Sequence, residues 1–181
     1  MEEIEIAVGM GQDSIPLEAY TENVYCGVKA SFITYYDETL WIGTHHAKGG
    51  GNGTLSGYKI HHTEEGTQLQ LERRMDIPTY AQGVSFIEEE ETCYMLLSVS
   101  WGRFRDSKMY LYEMKQQGEK TVLTRKAQYT LPPMSQELIS EGGCTYILFE
   151  SAATCYSTEN YRKCAYPVDR ICALSNKKMV P

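Results

Sequence analysis

Three stretches of this chain of 181 residues repeat one pattern of strands, and no other feature restricts its fold as tightly. The first runs Ala30-Ser31-Phe32-Ile33-Thr34-Tyr35-Tyr36, then Thr39-Leu40-Trp41-Ile42-Gly43-Thr44, then Leu55-Ser56-Gly57-Tyr58-Lys59-Ile60. The second runs Ala81-Gln82-Gly83-Val84-Ser85-Phe86-Ile87, then Tyr94-Met95-Leu96-Leu97-Ser98, then Lys108-Met109-Tyr110-Leu111-Tyr112-Glu113. The third runs Gln136-Glu137-Leu138-Ile139, then Thr145-Tyr146-Ile147-Leu148-Phe149-Glu150, then Asp169-Arg170-Ile171-Cys172-Ala173-Leu174. Each is a strand, a turn, a buried strand, a polar loop and another strand. With Trp41, Leu96 and Leu148 in equivalent places, the units recur at steps of 55 and 52 positions. A period of about 40–50 residues with several strands per unit is the signature of a propeller-type array. The repeat therefore predicts one all-β domain, a β-propeller-like array of about three four-stranded units. Their bounds fall near 23–76, 77–130 and 131–176, giving a partial propeller or half-ring.

The segments between the copies support this. Two polar hairpin turns, His62-Thr63-Glu64-Glu65-Gly66 and Gln116-Gln117-Gly118-Glu119-Lys120, precede the alternating runs Gln68–Glu72 and Thr121–Thr124. Those runs suit outer, half-exposed strands. Each leads into a proline connector, Ile77-Pro78-Thr79-Tyr80 or Leu131-Pro132-Pro133-Met134, at the same place in two successive units. Proline ends strand pairing and sets the turn into the next innermost strand. Near the N-terminus, Ile4-Glu5-Ile6-Ala7-Val8 alternates like a half-buried strand. The glycine run Lys48–Gly53 is not followed by the Lys-Ser/Thr of a phosphate-binding loop, so a hairpin loop is expected.

Composition narrows the function classes. A net charge of −7, with lysines and arginines scattered, repels a phosphate backbone, so nucleic acid is not expected as a partner. No segment approaches the roughly 20 apolar residues of a membrane span, so no membrane partner is expected. The acidic start Met1-Glu2-Glu3 lacks a signal peptide's basic and apolar regions, which predicts a cytoplasmic protein. The six cysteines form no CxxC pair and match no zinc ribbon spacing, which favours reduced thiols. Cys155 and Cys164 flank a polar loop and could pair only in an exported protein.

Several short motifs occur together: Tyr80-Ala81-Gln82-Gly83-Val84-Ser85-Phe86, Leu97-Ser98-Val99-Ser100-Trp101-Gly102-Arg103, Leu131-Pro132-Pro133-Met134-Ser135-Gln136-Glu137, Leu148-Phe149-Glu150-Ser151-Ala152 and Tyr166-Pro167-Val168-Asp169-Arg170. As a set they resemble the C-terminal half of uncharacterised β-propeller-like proteins of Gram-positive bacteria, over about residues 25–175. The resemblance implies a propeller-like fold, further repeats upstream in longer members, and export of those members. It implies no particular activity. Three units do not close a ring, since propellers have roughly 4–8 blades. An open array leaves edge strands that invite pairing, so a homodimer is expected.

In such a ring the innermost strands and the ends of the second strands face the central channel. That places Gln82 and Glu137 as candidate ligand-binding residues, with His45, Trp101, Arg103 and Glu150 at the ends of second strands. Glu150 follows an apolar run, so its carboxylate is either paired with an arginine or used for binding. Arg103 is either a bidentate clamp for an anion or a rim residue steadying its loop. Trp101 is either a stacking platform or packing. His45 and His46 point to opposite faces if on a strand, so at most one serves a given site as metal ligand or base. Asp169 and Arg170 pair with each other or with Glu150. No Gly-x-Ser-x-Gly elbow is present, and no catalytic residue stands out.

Three functional readings follow. The first is a binding or scaffold module for a small polar ligand or a protein, without a cofactor. The alternatives are a metal-dependent, lactonase-like hydrolase, or an inactive truncated paralogue. The hydrolase would hold a divalent cation such as calcium through Gln82, Glu137, Glu150 and Asp169. Calcium takes 6–8 oxygens, more than one half-ring offers.

Overall fold

The computed structural model describes residues 24–46, 51–118, 120–157 and 163–181. The alternating run at 4–8 and the glycines at 49 and 50 lie outside them. The chain forms three antiparallel meanders. The first sheet holds β1 (Phe32–Tyr36), β2 (Thr39–Gly43), β3 (Gly53–Thr63) and β4 (Gly66–Ile77) in that order. The second holds β5 (Ala81–Glu89), β6 (Thr92–Val99), β7 (Ser107–Gln117) and β8 (Lys120–Leu131). The third holds β9 (Ser135–Glu141), β10 (Cys144–Phe149) and β11 (Cys172–Ser175). Short helical turns at Glu150–Ala152 and Thr154–Ser157 interrupt this all-β pattern between β10 and β11. No helix of the described residues is long and apolar enough to cross a membrane.

The third sheet has three strands where the repeat predicts four. After β11 the chain enters a 3-10 turn at Asn176–Lys178. Asn176 is buried, and its Oδ1 accepts from Thr145 Oγ1 at 2.8 Å. Met179 is buried in the core between the second and third sheets, and Tyr129 on β8 donates to its carbonyl at 2.8 Å. These contacts draw the tail back over the second sheet instead of outward beside β11.

Local chemistry explains why the units match. Each first hairpin closes on two residues with positive φ: Asp37 and Glu38, Glu90 and Glu91, and Gly142 and Gly143. Positive φ at both central positions is what a type I′ hairpin requires, because its twist matches that of the strands. The third unit meets the requirement with glycine, the first two with carboxylate residues that pay a steric penalty. A register shift recurs between Gly57 and Tyr58 in the first unit and between Leu111 and Tyr112 in the second. Near the start of β5, Ala81 pairs with Val99 and Gly83 with Ser98, leaving Gln82 as the extra residue of a bulge. The third sheet shifts over the matching stretch, from Ser135–Phe149 to Leu138–Ile147.

Two cores lie between the sheets. Phe32, Trp41, Leu55 and Ile77 pack on Val84, Phe86, Met95, Leu97 and Val99. From the opposite face of the second sheet, Leu96, Met109 and Leu111 pack on Leu138, Ile147 and Phe149. Burial on both faces explains why β6 is an unbroken apolar run instead of an alternating one. The first strands β1, β5 and β9 lie against one another, whereas β4 and β8 barely touch.

Registers also fix which residues are equivalent. Trp41 pairs with Thr34 and Gly57, Leu96 with Ser85 and Leu111, and Tyr146 with Ile139 and Ala173. Tyr146, not Leu148, is thus the third counterpart of Trp41. Leu148 instead matches Ser98, and on the third sheet that face is uncovered: Ile139, Tyr146 and Leu148 are 62%, 39% and 50% exposed.

Gly83 is a point where the units meet closely. A Cβ there would lie 2.7 Å from both the Gln136 carbonyl oxygen and the Glu137 Cα, backbone that cannot rotate away. Gly83→Ala is expected to cost about 1–3 kcal/mol, read as a lower urea midpoint with an unchanged slope.

Candidate functional site

The ends of β2, β6 and β10 and the connectors into β5 and β9 share one edge of the molecule, and backbone bonds lock them together. The Tyr80 amide donates to the His46 carbonyl at 2.9 Å, and the Ser100 amide donates to the Tyr80 carbonyl at 3.0 Å. In the next unit the Glu150 amide donates to the Met134 carbonyl at 2.9 Å. Tyr80 and Met134 both have positive φ, 64° and 66°. Such a backbone is costly for a bulky residue. Its recurrence at matching connectors assigns it to the chain reversal, not to a ligand.

Three rings run along this edge. His45 sits edge-on to Tyr80 at 5.6 Å, and Tyr80 meets Trp101 at 6.2 Å. His45 Nδ1 lies 3.1 Å from the Ala81 carbonyl. A carbonyl only accepts, so Nδ1 is the donor in this contact. Gln82, in the bulge, donates from Nε2 to the Ser100 carbonyl at 3.3 Å. Beside the rings, Pro78, Tyr80, Val99, Trp101, Arg105 and Tyr110 line an open cleft of about 350 Å³.

Glu150 stands at the matching place in the third unit, and two side chains, neither of them an arginine, donate to it. Its carboxylate accepts from Gln136 Nε2 at 2.8 Å and from the Tyr156 hydroxyl at 2.9 Å, both neutral donors, and it is exposed. Gln136 is the structural counterpart of Gln82, a role that the sequence reading gives to Glu137. The signal was available: Gln82 follows Pro78 by four positions, as Gln136 follows Pro132. Glu137 lies one position further on, against Gly83, and is half-buried. Its Oε1 accepts from its neighbour's amide, Leu138 N, at 3.0 Å. Burial holds its carboxyl above the usual carboxylate range, partly opposed by hydrogen bonds from the Leu138 and Val84 amides.

The remaining candidates stand apart. Asp169 and Arg170, both largely exposed, pair with each other: Nε and Nη2 each lie 3.0 Å from Asp169 Oδ1. The Arg103 guanidinium lies 5.5 Å from the Phe104 ring, while its carbonyl accepts from the Ala165 amide at 2.9 Å and the Cys164 thiol at 3.3 Å. Arg103 thus anchors the loop that leads to β11. All six cysteines are free thiols. Among the described residues, no three His, Cys, Asp or Glu side chains lie close enough to hold a metal ion together.

No family model matches the chain, and no curated protein matches it either.

Glu137 gives a pH test. A carboxyl with a raised folded pKa binds its proton more tightly when folded, so it favours the fold at low pH and loses that contribution as pH rises through the raised value. The stability of the parent chain relative to Glu137→Gln is expected to fall with rising pH from the ordinary carboxylate range upward, as measured by urea midpoints across pH.

Proposed function

We propose that this protein is a β-propeller-like binding module whose rim cleft beside Trp101 takes a small polar ligand with a flat apolar face, such as a sugar ring. The observation that carries the reading is the pair Tyr80–Trp101, backed by His45 against Tyr80, lining a cleft that also offers Arg105. Aromatic faces bind the apolar side of a ring, while a guanidinium and nearby carbonyls answer its polar edge. Clefts of this kind, apolar with few polar groups, are the usual form of small-molecule sites.

Titration with glucose, galactose and N-acetylglucosamine is expected to give a saturable change in tryptophan fluorescence for at least one of them. Trp101→Ala should abolish it, and Arg105→Gln should weaken it several-fold. Silence towards all three sugars, or an unchanged response in Trp101→Ala, would count against the reading.

The same propeller-like reading extends to a second copy of the chain. The uncovered face of the third sheet presents Ile139, Tyr146 and Leu148, in positions whose counterparts in the first two sheets face the following sheet. The first sheet offers the complementary side: Ile33 and Tyr35, 57% and 62% exposed, match Val84 and Phe86, which receive the preceding sheet. The contact between units within the chain can thus be repeated between chains, and two copies would supply six sheets, inside the range of about 4–8 for closed propellers. Light scattering behind a sizing column is expected to give twice the chain mass, and the double variant Tyr146→Asp, Leu148→Asp the single mass. A parent chain that stays at the single mass at high micromolar concentration would exclude the pairing.

A further inference from the structure

The third sheet ends at an open edge. β11 is its last strand, and among the described residues it pairs with β10 alone. Its counterparts β3 and β7 are each covered by a fourth strand. We propose that residues Ile4–Val8 of a second copy of the chain add to this edge as the fourth strand, so that two copies exchange their N-terminal segments. The exchange presupposes the pairing of two copies put forward above, and it names the segment that fastens that pairing.

The order of the units points to this occupant. β4 completes the first sheet and runs through Pro78–Tyr80 into β5 of the second. β8 completes the second sheet and runs through Pro132–Met134 into β9 of the third. In both cases the fourth strand is the segment that enters the next sheet. In a ring of two copies, the sheet after the third is the first sheet of the other copy. The segment that enters that sheet is the N-terminal one. The described residues begin at Val24, and the residues before them hold the alternating run Ile4-Glu5-Ile6-Ala7-Val8.

The path of the chain agrees. Tyr58 lies in one row with Leu40 and Tyr35, on the face of the first sheet that the other copy would meet. Its hydroxyl donates to the Cys26 carbonyl at 2.9 Å, so the chain enters across that face. Residues 9–23 separate this entry from the alternating run, enough to span up to about 50 Å.

The pattern agrees as well. At their connector ends, β4 places Met75 and Ile77, and β8 places Tyr129 and Leu131, at alternate positions in the core toward the following sheet. Ile4, Ile6 and Val8 share one face of a strand in the same way. On the third sheet the uncovered face continues to the open edge through Tyr146, its exposed pairing partner Ala173, and Ile171, which is 64% exposed. A strand added there extends this apolar face and pairs backbone groups that would otherwise invite uncontrolled association.

The test uses the full chain. Glu5→Cys and Ala7→Cys each put a thiol on the face of the added strand opposite Ile4, Ile6 and Val8, the face that Cys172 shares on β11. With oxidised glutathione as electron acceptor, at least one of them is expected to form a disulfide with Cys172. The product should run at twice the chain mass on a non-reducing denaturing gel and vanish when Cys172→Ser is added. Ile6→Pro, which removes a ladder donor, should speed amide exchange over residues 172–175 at least tenfold and leave β6 unchanged. A parent chain of single mass by light scattering removes the pairing of copies and this exchange with it. A parent of twice the mass that gives no cross-linked dimer, or whose β11 exchange is unchanged by Ile6→Pro, overturns the exchange alone. A Cys172-dependent product at the single chain mass overturns it too, since the run would then return to its own third sheet.

Discussion

Burial of the second sheet on both faces holds the molecule together. Val84, Phe86, Met95 and Leu97 face the first sheet, while Leu96, Met109 and Leu111 face the third. Each such side chain contributes about 1.5–3 kcal/mol when taken fully out of water, so the stability of all three units runs through this one sheet. The polar groups caught in the same layer are satisfied locally. Ser98 and Ser135 share a hydrogen bond of 2.7 Å between sheets, and Ser107 donates to Ser100 at 2.9 Å. Each hydroxyl so placed avoids the penalty of a buried polar group without a partner.

Packing at the first strands also sets what the two edges of the molecule can do. The rim edge is built from connectors and long loops, held by the backbone bonds of Tyr80, Ser100 and Glu150, so its side chains stand on a fixed frame. The opposite edge is built from tight hairpins, whose turns leave little chain to move. A bulge near the start of β5 and another near the start of β9 join these requirements. They turn Gln82 and Gln136 toward the ends of the neighbouring strands, the re-aiming that bulges commonly provide.

Much of the fold was legible in the sequence because strand alternation, turn chemistry and the proline connectors agreed with one another. The strands of the first two units fall where the apolar runs and glycine turns place them. Two features were not legible. Equivalence in the third unit slipped from Tyr146 to Leu148, because apolar runs reveal a strand but not its register, and a bulge adds a residue that no periodicity records. The missing fourth strand depends on Asn176 and Met179 finding long-range partners in Thr145 and Tyr129, which local pattern does not reveal. Of the candidate site, His45 and Trp101 do come together, through Tyr80, a residue that the reading treated only as part of a connector. Glu137 and the Asp169–Arg170 pair were chosen by residue type and chain position, and their actual partners are a backbone amide and each other.

A strand whose two faces are both buried loses the usual guard against misalignment. Where one face meets water, a slip of one residue exposes every apolar side chain and is strongly disfavoured. In β6, Met95, Leu96 and Leu97 are all apolar, so such a slip would exchange one buried hydrophobe for another. Correct alignment there falls to the acidic two-residue turn at Glu90–Glu91 and to the bulge at Gln82, between the pairs Ala81–Val99 and Gly83–Ser98. Fidelity of assembly in the middle sheet thus resides in a few backbone dihedrals at its margins, not in the oily segment that supplies its stability.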